Sequence, residues 1–144
     1  MLDRQSTFQP AGLSAFPIYR ELFRALEPLS QHLQCDEERT LFCQGDWPMG
    51  VYLLRAGDAL AFILNEQGRP AVEFQVYPGT VLGVPAIVSH QPYSLTVVGR
   101  RGAVIGFVSK EDFGNLIHRR PSTYIAALRM LAAEIHSARQ AFTA

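Results

Sequence analysis

The period of the apolar positions changes twice along the chain. In residues 16–29, Ile18, Leu22, Phe23 and Leu26 recur at helical spacing beside Tyr19, while Arg20, Glu21, Arg24 and Glu27 face elsewhere. Pro17 suits a first helical turn and Pro28 stops the pattern. From about residue 30 to residue 109, short runs rich in Val, Leu, Ile, Phe and Tyr are cut by turn residues. These are Gly45-Asp46, Ala56-Gly57-Asp58, Asn65-Glu66-Gln67-Gly68, Pro78-Gly79 and Arg101-Gly102. Such frequent turn signals predict a compact antiparallel roll or barrel. Its strands are expected over residues 51–54, 59–64, 72–76, 94–98 and 103–108, with a hairpin loop at residues 65–68.

Helical spacing returns after residue 108. Ser109 is placed to cap a helix, with Asp112 three residues on, and Phe113, Leu116 and Ile117 form its apolar face. Pro121 then permits a new helix, since proline is accepted at the first helical position. Along that helix Tyr124, Leu128, Leu131, Ile135, Ala138 and Phe142 step alternately by four and three. This is the a/d spacing of a coiled-coil seam, about 30 Å long. It predicts a homodimer through the C-terminal helix. The plain alternative is a helix laid back on its own roll, which the same stripe would serve. The expected organisation is an N-terminal arm (residues 1–15), a β-roll with short flanking helices (residues 16–120) and a dimerisation helix (residues 121–144).

Composition narrows the function classes. The 144 residues are 48% hydrophobic and 18% charged, enough apolar material for one ordered domain. Formal net charge is zero, so nothing marks a phosphate-binding surface. No run approaches the ~20 apolar residues of a membrane span, and no signal-peptide core opens the chain. A cytoplasmic protein is expected. Cys35 and Cys43 are too few for a disulfide framework, a four-thiolate metal site or an iron–sulfur cluster, and reduced thiols are expected.

The order helix, β-roll, short helix, long helix resembles the sensor domain of the CRP/FNR regulators, the cyclic-AMP receptor and fumarate–nitrate regulator family. Leu41-Phe42-Cys43-Gln44-Gly45-Asp46 looks like that family's hydrophobic-Phe-x-x-Gly-Asp turn, and Val51-Tyr52-Leu53-Leu54-Arg55-Ala56-Gly57 is similar to its Tyr-Leu-Ile-x-x-Gly strand. Residues 79–98 have the length and Gly-rich start of its phosphate-binding cassette, and residues 107–113 resemble the strand and helix that follow. The match covers residues 16–142, nearly the whole chain. It implies a double-stranded β-helix, a jelly-roll-like β-roll, followed by a dimerising helix. Gly45, Gly57 and Gly79 are also accounted for as plain turn glycines, whereas Gly83 would let backbone approach a ligand.

The resemblance also implies a loss. The family's cassette begins Gly-Glu, whose carboxylate accepts from a ribose hydroxyl, and later carries an arginine for the cyclic phosphate. An ungapped match puts Val84 at the glutamate position and Tyr93 at the arginine position. Valine accepts no hydrogen bond, and tyrosine offers neither positive charge nor a two-pronged donor. Charge-assisted bonds are worth about 1.5–3 kcal/mol each. Losing two should weaken cyclic nucleotide binding by roughly two orders of magnitude or more. Pro85 removes a further backbone donor.

The remaining candidate ligand residues are Gly83, Val84, Pro85, Ala86, Tyr93, Ser94 and Thr96, which would serve a small effector of unknown identity. Equally, Val84, Ile87, Tyr93 and Leu95 could fill the space and make it core. Two function classes follow: a non-enzymatic sensor of the regulator type, in which a ligand at residues 83–96 shifts the long helix, or a ligand-free structural or protein-interaction dimer. A third, a cupin-like metalloenzyme, would need clustered ligands, but His32, His90, His118 and His136 are dispersed. Lone histidines leave haem ligation open without pointing to it. No nucleophile lies in a Gly-x-Ser-x-Gly setting, Glu37-Glu38 and the pairs Arg100-Arg101 and Arg119-Arg120 read as surface turns, and neither catalysis nor a cofactor is expected. Regulators of this type usually continue into a helix-turn-helix domain; this chain stops at Ala144, so DNA binding by it alone is not expected.

Overall fold

The computed structural model describes the backbone of residues 19–143 and the side chains of residues 19–133. The N-terminal arm and the start of the first expected helix, together with the side chains of Ile135, Ala138 and Phe142, lie outside the described residues.

Helix α1 (Arg20–Leu26) runs into a single 3-10 turn at Glu27–Leu29. Strands β1 (Gln31–Gln34), β2 (Arg39–Phe42), β3 (Gly50–Ala56), β4 (Ala59–Leu64), β5 (Pro70–Val76) and β6 (Val81–Leu82) follow. Then come helix α2 (Val84–Ser89), strands β7 (Thr96–Gly99) and β8 (Val104–Ser109), helix α3 (Lys110–Arg119) and helix α4 (Pro121–Thr143). Two antiparallel four-stranded sheets, ordered β1-β8-β3-β6 and β2-β7-β4-β5, form the expected jelly-roll-like roll.

The two sheets have different surroundings, and their sequences show it. In β4 the burial alternates, because Ala59, Ala61 and Ile63 point into the roll while Leu60, Phe62 and Leu64 point outward. In β3 it does not, because both faces are covered. Leu54 and the half-buried Tyr52 belong to the roll interior. Val51 and Leu53 belong to a second core beneath the helices, with Leu22 and Leu26 of α1, Phe113 and Leu116 of α3, and Ala127 and Met130 of α4.

Local chemistry sets the element ends. Ser109 Oγ accepts from the Asp112 amide at 3.1 Å, the cap expected for α3. Pro121 opens α4 as expected. Arg55 Nε meets Glu27 Oε2 at 3.0 Å, tying the turn after α1 to β3. Three strands were not expected: β1 is the polar run Gln-His-Leu-Gln, β2 has four residues and β6 only two. A further difference bears on the site. No helix is expected from the sequence between Gly83 and the strand at residues 94–98, but Val84–Ser89 form one.

Candidate functional site

The cassette begins at Gly83, whose φ of +91° reverses the chain from β6 into α2. A side chain there would strain the backbone, and its Cβ would stand 3.0 Å from Tyr93 Cε1. The ring of Tyr93 therefore lies against bare backbone.

Six residues cannot form a helix by propensity alone. Packing on both sides holds α2. Val84 is fully buried among Val51, Leu53, Val81, Val108 and Phe113, and Ile87 and Val88 pack on the same helix-side core, which contains Ala126, Ala127 and Met130 of α4. Ala86 faces the other way, into the roll. The helix ends in a Schellman pair: the Gln91 amide donates to Ala86 O at 3.1 Å and the His90 amide to Ile87 O at 3.4 Å. His90 takes the left-handed conformation this requires, with φ 57° and ψ 47°.

Backbone pairing then brings Tyr93 to the turn after β2. Its amide donates to Asp46 O at 2.9 Å, and its carbonyl accepts from the Gly45 amide at 2.8 Å. Its side chain, 5% exposed, enters the roll and stacks on Phe42 with centroids 4.0 Å apart. Phe42 leans on Tyr52 (5.3 Å) and Tyr52 on Phe107 (5.0 Å), so an aromatic row crosses from β2 to β8. The Tyr93 hydroxyl donates to Gly50 O at 2.7 Å. Gly50 has no room for a side chain, since a Cβ would fall 2.2 Å from Val108 O.

Burial pushes the Tyr93 phenol up to about 12; the hydrogen bond to Gly50 acts in the opposite direction, and Tyr52 adds to the rise. At neutral pH it is a neutral donor. Tyr52 is also raised, again mainly by burial.

The candidate ligand residues thus fall in different settings. Ala86 and Tyr93 meet inside the roll with Leu82 and Leu95. Val84 points away from them, into the helix-side core. Ser94 is exposed, and Thr96 Oγ1 accepts from the Gln44 amide at 2.9 Å. Pro85 sits in the first turn of α2, where its missing donor leaves no helical bond unmade. The sequence reading places Phe42 in a turn and gives Gly50 no role, although they form the wall and the acceptor for Tyr93. It passed over Gln44, whose side chain pairs with both backbone groups of Leu64, donating to its carbonyl at 3.3 Å and accepting from its amide at 2.7 Å. Among the described residues no group of three or more His, Cys, Asp or Glu could hold a metal ion. Cys35 is buried and Cys43 exposed.

Large apolar side chains are exposed at two places near this site. Trp47 (68%) and Met49 stand on the turn between β2 and β3. On α4, Tyr124 (46%), Ile125 (51%) and Leu128 (41%) face solvent, while Thr123, Ala127 and Met130 pack on the domain. No described helix is long and apolar enough to cross a membrane.

A family model described as "Cyclic nucleotide-binding domain" matches residues 33–120, which contain both sheets' paired strands from β2 to β8 and the whole cassette. The catabolite activator protein of Thermus thermophilus is similar in structure, with a TM-score of 0.72 and 22% identity over 85% of this chain. This chain spans 57% of that protein's length. A transcriptional regulator from Thermotoga maritima has a TM-score of 0.67 at 18% identity, over 81% of this chain and 92% of its own. The sensor domain of the transcriptional regulator DNR from Pseudomonas aeruginosa has a TM-score of 0.64 at 17% identity, over 83% and 85% of the two chains. A search of curated proteins found no sequence match.

Proposed function

The chain belongs to the cyclic nucleotide-binding domain family, and from that premise we propose that it is a non-enzymatic regulatory module of the CRP/FNR sensor type that does not take cyclic AMP or cyclic GMP in the usual mode. One observation carries the reading. Tyr93, at the position that resembles the family's phosphate-binding arginine, is buried against Phe42 and bonded to Gly50 O. A sugar–phosphate ring needs a positive or multiply donating group at that wall. It meets a neutral phenol whose one donor is already used. This packing also favours the version of the function with no small effector, in which the domain acts through a second copy of itself or a partner protein.

The exposed Tyr124 and Leu128 support a homodimer. They lie roughly 100° round α4 from Thr123, Ala127 and Met130, so one face of the helix is occupied by its own domain while the other is free to meet a second copy. Leu131, Ile135, Ala138 and Phe142 continue that stripe in the sequence.

Isothermal titration of the purified chain with cyclic AMP and cyclic GMP tests the central claim. No heat of binding is expected at micromolar to high-micromolar ligand. A micromolar dissociation constant abolished by a substitution at residues 83–96 would overturn it.

A further inference from the structure

We propose that the Tyr93 side chain serves as a tethered occupant of the cassette, an internal stand-in for an effector that holds α2 seated and so fixes how α4 presents its free face. The inference rests on the regulatory reading above and deepens it. The contacts run without a gap. The ring lies against Gly83, stacks on Phe42 and is anchored through its hydroxyl to Gly50 O at 2.7 Å. Gly83 is the N-cap of α2, and its carbonyl accepts from the Ile87 amide at 3.3 Å. One turn on, Ile87 and Val88 pack on the core that contains Ala126, Ala127 and Met130 of α4. Tyr124, Ile125 and Leu128 lie in the same stretch of α4, on its exposed side.

An aromatic group with a hydrogen-bond donor, placed between Gly83 and Phe42, is therefore what keeps α2 pressed against α4. Here the chain supplies that group itself. Covalent attachment makes its effective concentration high, so the seated state needs no soluble ligand.

The test removes the occupant and returns it as a free molecule. The full chain is compared with Tyr93→Ala, Tyr93→Leu and Tyr93→Phe, by sedimentation for self-association and by amide exchange over residues 126–130. p-Cresol, the detached tyrosine side chain, and 4-methylanisole, which lacks the hydroxyl donor, are added at millimolar concentration. Tyr93→Ala should raise the dimer dissociation constant at least tenfold and speed exchange at residues 126–130. p-Cresol should reverse both effects, and 4-methylanisole should do so less. Tyr93→Phe, which keeps the ring but loses the donor, should lie between the parent and Tyr93→Leu. Val76→Ala, an equally buried change on β5, should lower the melting temperature without selective loss at α4. Should Tyr93→Ala not fold, Tyr93→Leu, which keeps a sizeable apolar side chain but not the ring or hydroxyl, is expected to give the same selective loss.

Equal dimerisation and exchange in the parent and Tyr93→Leu or Tyr93→Ala would overturn the proposal. So would an equal loss in Val76→Ala, which would mark general destabilisation. A monomeric parent would remove the dimer reading alone, because amide exchange still reports the seating of α2. Cyclic nucleotide binding by the parent would remove the functional reading and is measured separately.

Discussion

A hydroxyl 2.7 Å from a carbonyl oxygen, on a ring that water barely touches, ties the behaviour of Tyr93 to pH. Its folded-state value of about 12 lies above the ordinary tyrosine value of about 10. A raised value means that the folded state holds the proton more tightly. The stability it contributes is complete below pH 10 and is lost as pH rises through 12. Tyr93→Phe should therefore lose about 1 kcal/mol at pH 8, from the deleted hydrogen bond. It should also show a shallower fall between pH 10 and 12 than the parent, because Tyr52 and the Cys35 thiol, both raised mainly by burial, are then left to contribute the same trend. Urea midpoints across that range check both parts, and parallel curves would contradict the assignment.

Val84 gives the opposite lesson. By resemblance it stands where a ligand-facing carboxylate would be. Here it is enclosed by Val51, Leu53 and Phe113. Val84→Glu should restore no ligand contact and should cost about 3–5 kcal/mol, as an unpaired charge in that core does. A urea midpoint near that of the parent would show that the side chain can turn into the roll. The sequence identified the residue but not its face, because the face depends on how many helical residues follow Gly83.

At the scale of elements, legibility followed how many neighbours an element needs in order to exist. β4 alternates cleanly and was expected at residues 59–64, where it lies. β1 carries three polar residues in four, since it is an edge strand shielded on one side only, so its pattern has nothing to show. α2 is written in Val, Pro, Ala, Ile, Val and Ser, a composition closer to strand than helix. Gly83, the roll and α4 impose its form. The same element stores a small strain at its end. His90 is exposed and left-handed, a conformation that costs a side-chain-bearing residue about 1 kcal/mol. His90→Gly should raise stability by about 1 kcal/mol with no change in ligand behaviour, measured as a shift in the thermal midpoint. A fall in stability would mean that the imidazole makes a contact worth more than the strain.

For the whole molecule, the two-sheet roll and the long final helix were legible because their periods are long and their turns explicit. The division of the interior into two cores was not. β3 reads as Gly-Val-Tyr-Leu-Leu-Arg-Ala, an unbroken apolar run that fits any strand buried on both sides, and only the helices packed behind it explain why. The a/d spacing on α4 is visible in the sequence, and two of its positions, Tyr124 and Leu128, are exposed, as the proposed helix pair would need. Leu128→Glu, which would set like charges facing each other across a two-fold helix pair, should raise the dissociation constant at least tenfold, about 1.4 kcal/mol. Sedimentation at several concentrations reads this directly, and an unchanged constant would send the search for the contact elsewhere on the surface.

The chain has a single tryptophan, and it stands in water on the turn whose backbone clasps Tyr93. Its emission in the native state should already match that of indole in buffer, so denaturation would scarcely move the spectral maximum and dichroism is the better monitor of folding. The same property makes it a sensitive indicator of encounter: anything that settles on that turn must take the indole out of solvent, shifting its emission to the blue and shielding it from iodide quenching, with no label attached.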